Sequence, residues 1–108
     1  MATKTQVDNF ISQLSALAVA ECQKRKNAGR KWTLPSVCIA QAALETGWGT
    51  SPLMVKANAY FGIKAGTGWT GRVYSTKTQE CYNGRDYTTI TDLFRAYDSL
   101  ADSVADYY

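Results

Sequence analysis

Histidine is missing from all 108 positions, cysteine occurs three times and proline twice. Without histidine, Ser-His and Cys-His catalysis are excluded, and so are the common zinc sites. The cysteines, Cys22, Cys38 and Cys81, are odd in number and none forms a CxxC pair, which rules out a dense disulfide framework. Cys22 and Cys38 are expected as buried thiols, with a Cys22–Cys38 bridge as the alternative. Acid–base chemistry in such a chain rests on carboxylates, tyrosine, lysine or a thiol.

Long apolar runs are missing too. No stretch approaches the roughly 20 residues that span a bilayer, so membrane insertion is not expected. The opening MATKTQVDNF has no basic region followed by an apolar core, and so is not read as a Sec-type signal. No internal repeat, low-complexity tract or Pro/Gly/Ser-rich linker divides the chain, and a single domain over residues 1–108 is expected. An apolar share of 45% and an aromatic share of 12% place it among globular proteins. The net charge is only +3. Its main concentration, Lys24, Arg25, Lys26, Arg30 and Lys31, reads as a solvated helix end that complements the helix dipole, or as a weak attraction to a polyanionic surface such as a bacterial wall. No basic-and-aromatic motif of a nucleic-acid reader is found, so nucleic acid is not an expected partner.

What is there is mostly helical. Phe10, Leu14, Leu17, Ala18 and Cys22 recur at helical spacing, predicting a helix from about Thr5 to Asn27, with Thr5 and Asp8 as its cap and Asn27-Ala28-Gly29 as its stop. A second helix starts near Pro35, whose fixed φ suits a first helical position, and ends at Gly47. From Val37 to Leu44 it is apolar or small on nearly every side, which predicts a helix in the middle of a core. Pro52 to Ala57 reads as a short third helix. Val73 to Tyr82 carries β-branched and aromatic residues, Asn83-Gly84 is a hairpin turn signal, and Tyr87 to Ile90 reads as the returning strand. Asp98 to Ala105 reads as a capped helix running towards Tyr107. The expected class is α+β, mainly helical with one small β-hairpin lobe.

The second helix interrupts its apolar pattern only at Gln41 and Glu45, four residues apart and therefore on one face. A carboxylate in the last turn sits beside unpaired carbonyls, and partial burial next to Leu44 and Trp48 would disfavour its charge further. Both effects favour a carboxylic acid that keeps its proton, as the general acid of glycoside hydrolysis must. Glu80, late in the first hairpin strand, is available as a second carboxylate. Two carboxylates on different elements of a histidine-free α+β domain point to a glycosidase, against the plainer reading of two surface glutamates.

The segments AQAALETGWGTS (40–51), NAYFGIK (58–64), TKTQE (76–80) and FRAYDSLADSVADY (94–107) resemble the glucosaminidase family of peptidoglycan hydrolases, glycoside hydrolase family 73. The resemblance runs in the family's order from Phe10 to Tyr107. It implies a lysozyme-like fold and an endo-β-N-acetylglucosaminidase acting on the alternating N-acetylglucosamine and N-acetylmuramic acid strand of peptidoglycan. N-acetylmuramidase activity and non-catalytic wall binding are the alternatives. By the same resemblance Glu45 is the general acid and Glu80 the second carboxylate. Asn58, Phe61, Gly62, Lys64 and Tyr97 belong to the cleft. Trp69 and Tyr74 are the candidates to stack on a sugar face, while Trp48 is expected to pack behind Glu45, with a sugar platform as the alternative. No metal or organic cofactor is implied. The expected setting is a monomer at the bacterial wall outside the membrane, as an autolysin or as a phage lysin made in the host cytoplasm. Two features depart from the family's pattern. Asn58 is followed by Ala59 where many members carry a second asparagine, and the pattern continues past the D-Y-Y stretch, so a shortened or naturally minimal form is expected.

Overall fold

The structure, a computed structural model, describes residues 2–108 apart from Asn83 and Arg85, and for positions 78–82, 86–88 and 90 it describes the backbone alone. The elements run α1 (Lys4–Asn27), α2 (Pro35–Thr46), α3 (Pro52–Ala57), β1 (Val73–Tyr82), β2 (Asp86–Arg95) and α4 (Leu100–Tyr107). Thr3 caps α1, accepting from the Gln6 amide at 3.1 Å while the Gln6 side chain accepts from the Thr3 amide at 2.8 Å. The cap thus falls two residues earlier than the Thr5/Asp8 reading. Thr3 and Gln6 stand in the reciprocal positions that satisfy two free N–H groups, and Asp8 instead pairs with Lys4 at 2.7 Å. Pro35 opens α2 and Gly47, at φ +56°, closes it. Ser51 and Ser99 cap α3 and α4 through their hydroxyls.

One face of α1 (Phe10, Leu14, Ala18, Cys22) meets α2 and α4. Phe10, Leu14, Ala18, Cys38, Ala42, Ala43, Met54, Tyr60 and Val104 form the main core. Full burial of a side chain the size of Leu14 contributes about 1.5–3 kcal/mol. Cys22 and Cys38 are both free thiols, and both are buried. The helix α2 departs from its expected central position. Cys38, Ala42, Ala43 and Thr46 are buried, but Val37 is 44% exposed and Leu44 84%. The physical reason is that α1 and the Tyr60–Tyr107 side cover one flank of α2, and no described element of this chain lies against the other.

The hairpin pairs antiparallel from Val73 opposite Arg95 to Tyr82 opposite Asp86. The turn residue Asn83 lies outside the described residues. The strand β2 is longer than the sequence suggested, because its second edge is used as well. Ala65 donates to the Leu93 carbonyl and Arg95 donates to the Ile63 carbonyl, each at 2.8 Å. The segment 63–65 is thereby laid along β2, which brings the adjoining Phe61-Gly62 to the helical lobe. A second cluster (Ala57, Ala59, Ala96, Tyr97) joins the lobes, with Leu53, Trp69 and Tyr74 packed on it. Further ties seat α4. Tyr60 donates its amide to the Ser103 hydroxyl at 3.0 Å, Arg25 donates to the Ala105 carbonyl at 2.9 Å, and Tyr108 donates to the Thr33 carbonyl at 2.8 Å.

The core carries an alkaline liability. Burial pushes the Cys38 thiol from 9.0 up to about 11 and the Tyr60 hydroxyl from 10.0 up to about 12. Both pKa values are raised in the folded state, so the unfolded chain loses these protons first. Stability is therefore fully present below about pH 9 and is lost as pH rises through 11 to 12. Urea midpoints are expected to stay flat to pH 9 and fall beyond it. Tyr60→Phe should flatten part of that fall without cost at neutral pH, because the buried Tyr60 hydroxyl has no hydrogen-bond partner among the described residues.

Candidate active site

Glu45 occupies the last turn of α2, one turn after Gln41, and both line a pocket of about 240 Å³ with Leu44, Phe61, Ile63 and Tyr107. The polar stripe read from their spacing is therefore real, and it faces a cleft. Phe61 and Tyr107 stack with centroids 4.1 Å apart and rings 18° from parallel. The Tyr107 hydroxyl donates to the Gln41 side-chain carbonyl, so α4 reaches across to the carboxylate-bearing face of α2. Burial raises the Tyr107 pKa above the ordinary tyrosine value. Glu45 itself makes no hydrogen bond or ion pair among the described residues and is exposed. The partial burial expected beside Leu44 and Trp48 is not found, since Leu44 points outward and Trp48 is 39% exposed. The same uncovered flank of α2 accounts for both.

Gly62 forms the other lip. It sits at φ +58°, and a Cβ placed there would lie 3.3 Å from Glu45 Oε2. Glycine is needed for the backbone and for the close approach of the chain to the carboxylate. Gly62→Ala should cost about 1 kcal/mol in folding and, by displacing the Glu45 carboxyl, about ten-fold in turnover. Thermal melting and wall-clearing rates on the same preparation would separate the two effects.

The other residues anticipated from the sequence are dispersed. Asn58 caps α3 at φ +51° and donates its amide to the Tyr97 carbonyl at 2.9 Å. Lys64 pairs with Asp92 at 3.5 Å. Tyr74 is half-buried against the cluster joining the lobes. Trp69 and Tyr97 line a second, larger cavity of about 560 Å³ with Arg72, Asp98 and Asp102. There the Arg95 guanidinium lies 4.8 Å over the Trp69 ring, and the Tyr97 hydroxyl donates to Asp106 at 2.6 Å. Burial and that bond hold the Tyr97 proton well above the usual tyrosine range. Glu80 stands in β1 opposite Thr88, and its side chain lies outside the described residues. Among the described residues no three His, Cys, Asp or Glu side chains are grouped to hold a metal ion. No described helix is long and apolar enough to cross a membrane.

Sequence reasoning missed Ile63 and Tyr107 as walls of the Glu45 pocket. The available signal was Leu100, Val104 and Tyr107, one apolar stripe at helical spacing that ends on an aromatic and packs on the main core.

A helical body, a two-stranded lobe and a glutamate ending the helix that borders an aromatic-walled cleft define a lysozyme-like domain. The chain belongs to the glucosaminidase family: residues 22–108 match that family, described as mannosyl-glycoprotein endo-beta-N-acetylglucosaminidase. It is 40% identical over 74 residues to the exo-glucosaminidase LytG of Bacillus subtilis, covering 68% of this chain and 25% of that protein. It is 37% identical over 107 residues to a probable N-acetylmuramidase of Lactococcus lactis, covering 97% of this chain and 22% of that protein. The catalytic domain of the Listeria monocytogenes autolysin Auto superposes with a TM-score of 0.76 at 33% identity, covering 99% of this chain and 56% of that domain. The chain thus spans about a quarter of the length of these curated relatives and just over half of the solved domain.

Proposed function

We propose that this chain hydrolyses the glycan strand of bacterial peptidoglycan as an endo-β-N-acetylglucosaminidase, with Glu45 as the general acid. The observation that carries this reading is the Glu45 carboxyl, free of any partner among the described residues, set in a cleft walled by Phe61, Ile63 and Tyr107, with Gly62 leaving room beside Oε2 that a Cβ would crowd. A glycan laid there displaces water from the carboxyl, supplying the desolvation that the protein alone leaves out. Glu45 then gives its proton to the glycosidic oxygen as the bond to the anomeric carbon breaks and positive charge spreads over the ring. Water, or first the acetamido carbonyl of the same sugar, attacks the anomeric carbon, and the displaced proton returns to the carboxylate. Glu80 is the second carboxylate in this scheme, assisting the attacking water. Phe61 and Gly62 shape the cleft at the reacting bond. Trp69, backed by the buried Tyr97 ring, offers an aromatic surface to more distant parts of the wall polymer, while Asn58, Lys64 and Tyr74 hold the lobes in place. The site of action is the bacterial wall outside the membrane.

Mass spectrometry of borohydride-reduced wall digests tests the bond. Reduced N-acetylglucosamine at the new ends is expected. Reduced N-acetylmuramic acid would establish muramidase cleavage, a second reading that the 37% identical Lactococcus relative favours. Release of no reducing ends from a wall preparation that the protein binds would overturn the enzymatic reading altogether.

A further inference from the structure

Beside the Glu45 pocket, and sharing Leu44 with it, lies a cavity of about 390 Å³ lined by Ala40, Ala43, Leu44, Gly47 and Trp48. Its floor is built from small residues, one wall is an indole and no charged side chain contributes. Such a lining selects an apolar surface that carries polar edges, as a sugar ring does, rather than an ion. Leu44, 84% exposed, is the ridge between the two hollows.

Trp48 is held there by an unusual backbone. Its φ is +61°, a left-handed conformation that disfavours bulky residues, between Gly47 at +56° and Gly49 at +85°. The turn is over-determined. Thr46 donates to the Ala42 carbonyl at 2.7 Å and accepts from the Gly49 amide at 2.9 Å, while Thr50 donates to the Gly47 carbonyl at 2.9 Å. One side of the indole meets the Phe10 ring edge-on at 5.9 Å, yet Trp48 remains 39% exposed. Its Nε1–H has no partner among the described residues. Strain maintained in this way, on an aromatic presented to a groove, is characteristic of functional positions. Packing therefore occupies just one side of the ring, and the other side suits the sugar-platform alternative.

We infer that Trp48 and Leu44 form an additional glycan subsite, the indole stacking on the sugar next to the pair that flanks Glu45 and its N–H meeting a sugar oxygen. This rests on the peptidoglycan reading above and extends it, since a groove continued past Leu44 suits cleavage within a strand.

The test uses the Glu45→Gln protein, which binds without cleaving, titrated calorimetrically with the peptidoglycan disaccharide and hexasaccharide. Adding Trp48→Gly, which suits the left-handed backbone, or Ala40→Glu, which places a charge in the second hollow from an exposed position outside the Glu45 pocket, should weaken hexasaccharide binding by about ten-fold and leave disaccharide binding within about two-fold. Unchanged hexasaccharide affinity in both folded variants, verified by circular dichroism, overturns the subsite while leaving the enzyme reading intact. Equal weakening for both sugar lengths also overturns it, because that marks a general distortion. If Glu45→Gln binds neither sugar and the parent protein clears no wall, the peptidoglycan reading fails and the subsite fails with it.

Discussion

Glu45→Gln is expected to slow the solubilisation of purified cell walls by about 10²- to 10⁴-fold, the range that loss of a general acid or base produces. Glutamine keeps the size and shape of the side chain but has no proton to give to a leaving oxygen. The fold should not register the change. Glu45 is exposed and makes no hydrogen bond or ion pair among the described residues, so no contact is lost. Melting temperature and glycan affinity are therefore expected to match those of the parent, leaving turnover as the only quantity that moves. Turbidity loss and reducing-end release should fall together. A variant that clears walls at the parental rate would remove Glu45 from the mechanism, whatever else its pocket does.

The second large effect is on stability. A Cβ added at Gly49 would lie 2.8 Å from Phe10 Cδ2, and the residue sits at φ +85°. Phe10 is 4% exposed and fixed between Trp48 and Tyr60, so its ring cannot swing away. Gly49→Ala combines left-handed strain with overpacking, about 2–4 kcal/mol together. For a chain of this size that corresponds to a fall in melting temperature of about 10–20 °C. Gly66→Ala is the matched control, since a Cβ there meets nothing within 4 Å and its φ carries no penalty. Equal melting temperatures for the two variants would show that the Gly49 turn relaxes without cost.

The ends of α2 were legible in the sequence because Pro35 and Gly47 act through their own backbone chemistry, which needs no tertiary partner. The Gln41–Glu45 stripe was legible for the same reason, since four residues always return a helix to one face. The length of β2 was not legible. Residues 91–95 become strand by pairing with β1 on one edge and with segment 63–65 on the other, and the second pairing leaves no periodic trace in either sequence. The cap of α1 was misread by two residues because two threonines offered caps, and only Thr3 has a glutamine placed to answer it.

The site divides in the same way. Glu45, Phe61 and Gly62 were found from the sequence and come together in the structure. Tyr107 reaches Gln41 from 66 residues away, a meeting decided by how α4 docks on α1 and Tyr60. The exposure of Leu44 was hidden as well. An apolar helix reads as buried on all sides, and only the packing reveals which flank is left open.

By itself the sequence determined the helices, both ends of α2, the pairing of the hairpin strands, the acid candidate at the end of α2 and the family, because each is written in neighbouring residues or fixed spacings. Tertiary structure alone decided the uncovered flank of α2, the Tyr107 wall and the outward presentation of Trp48. Those depend on which surfaces compete for the same apolar partners, a contest among distant segments that no local pattern records.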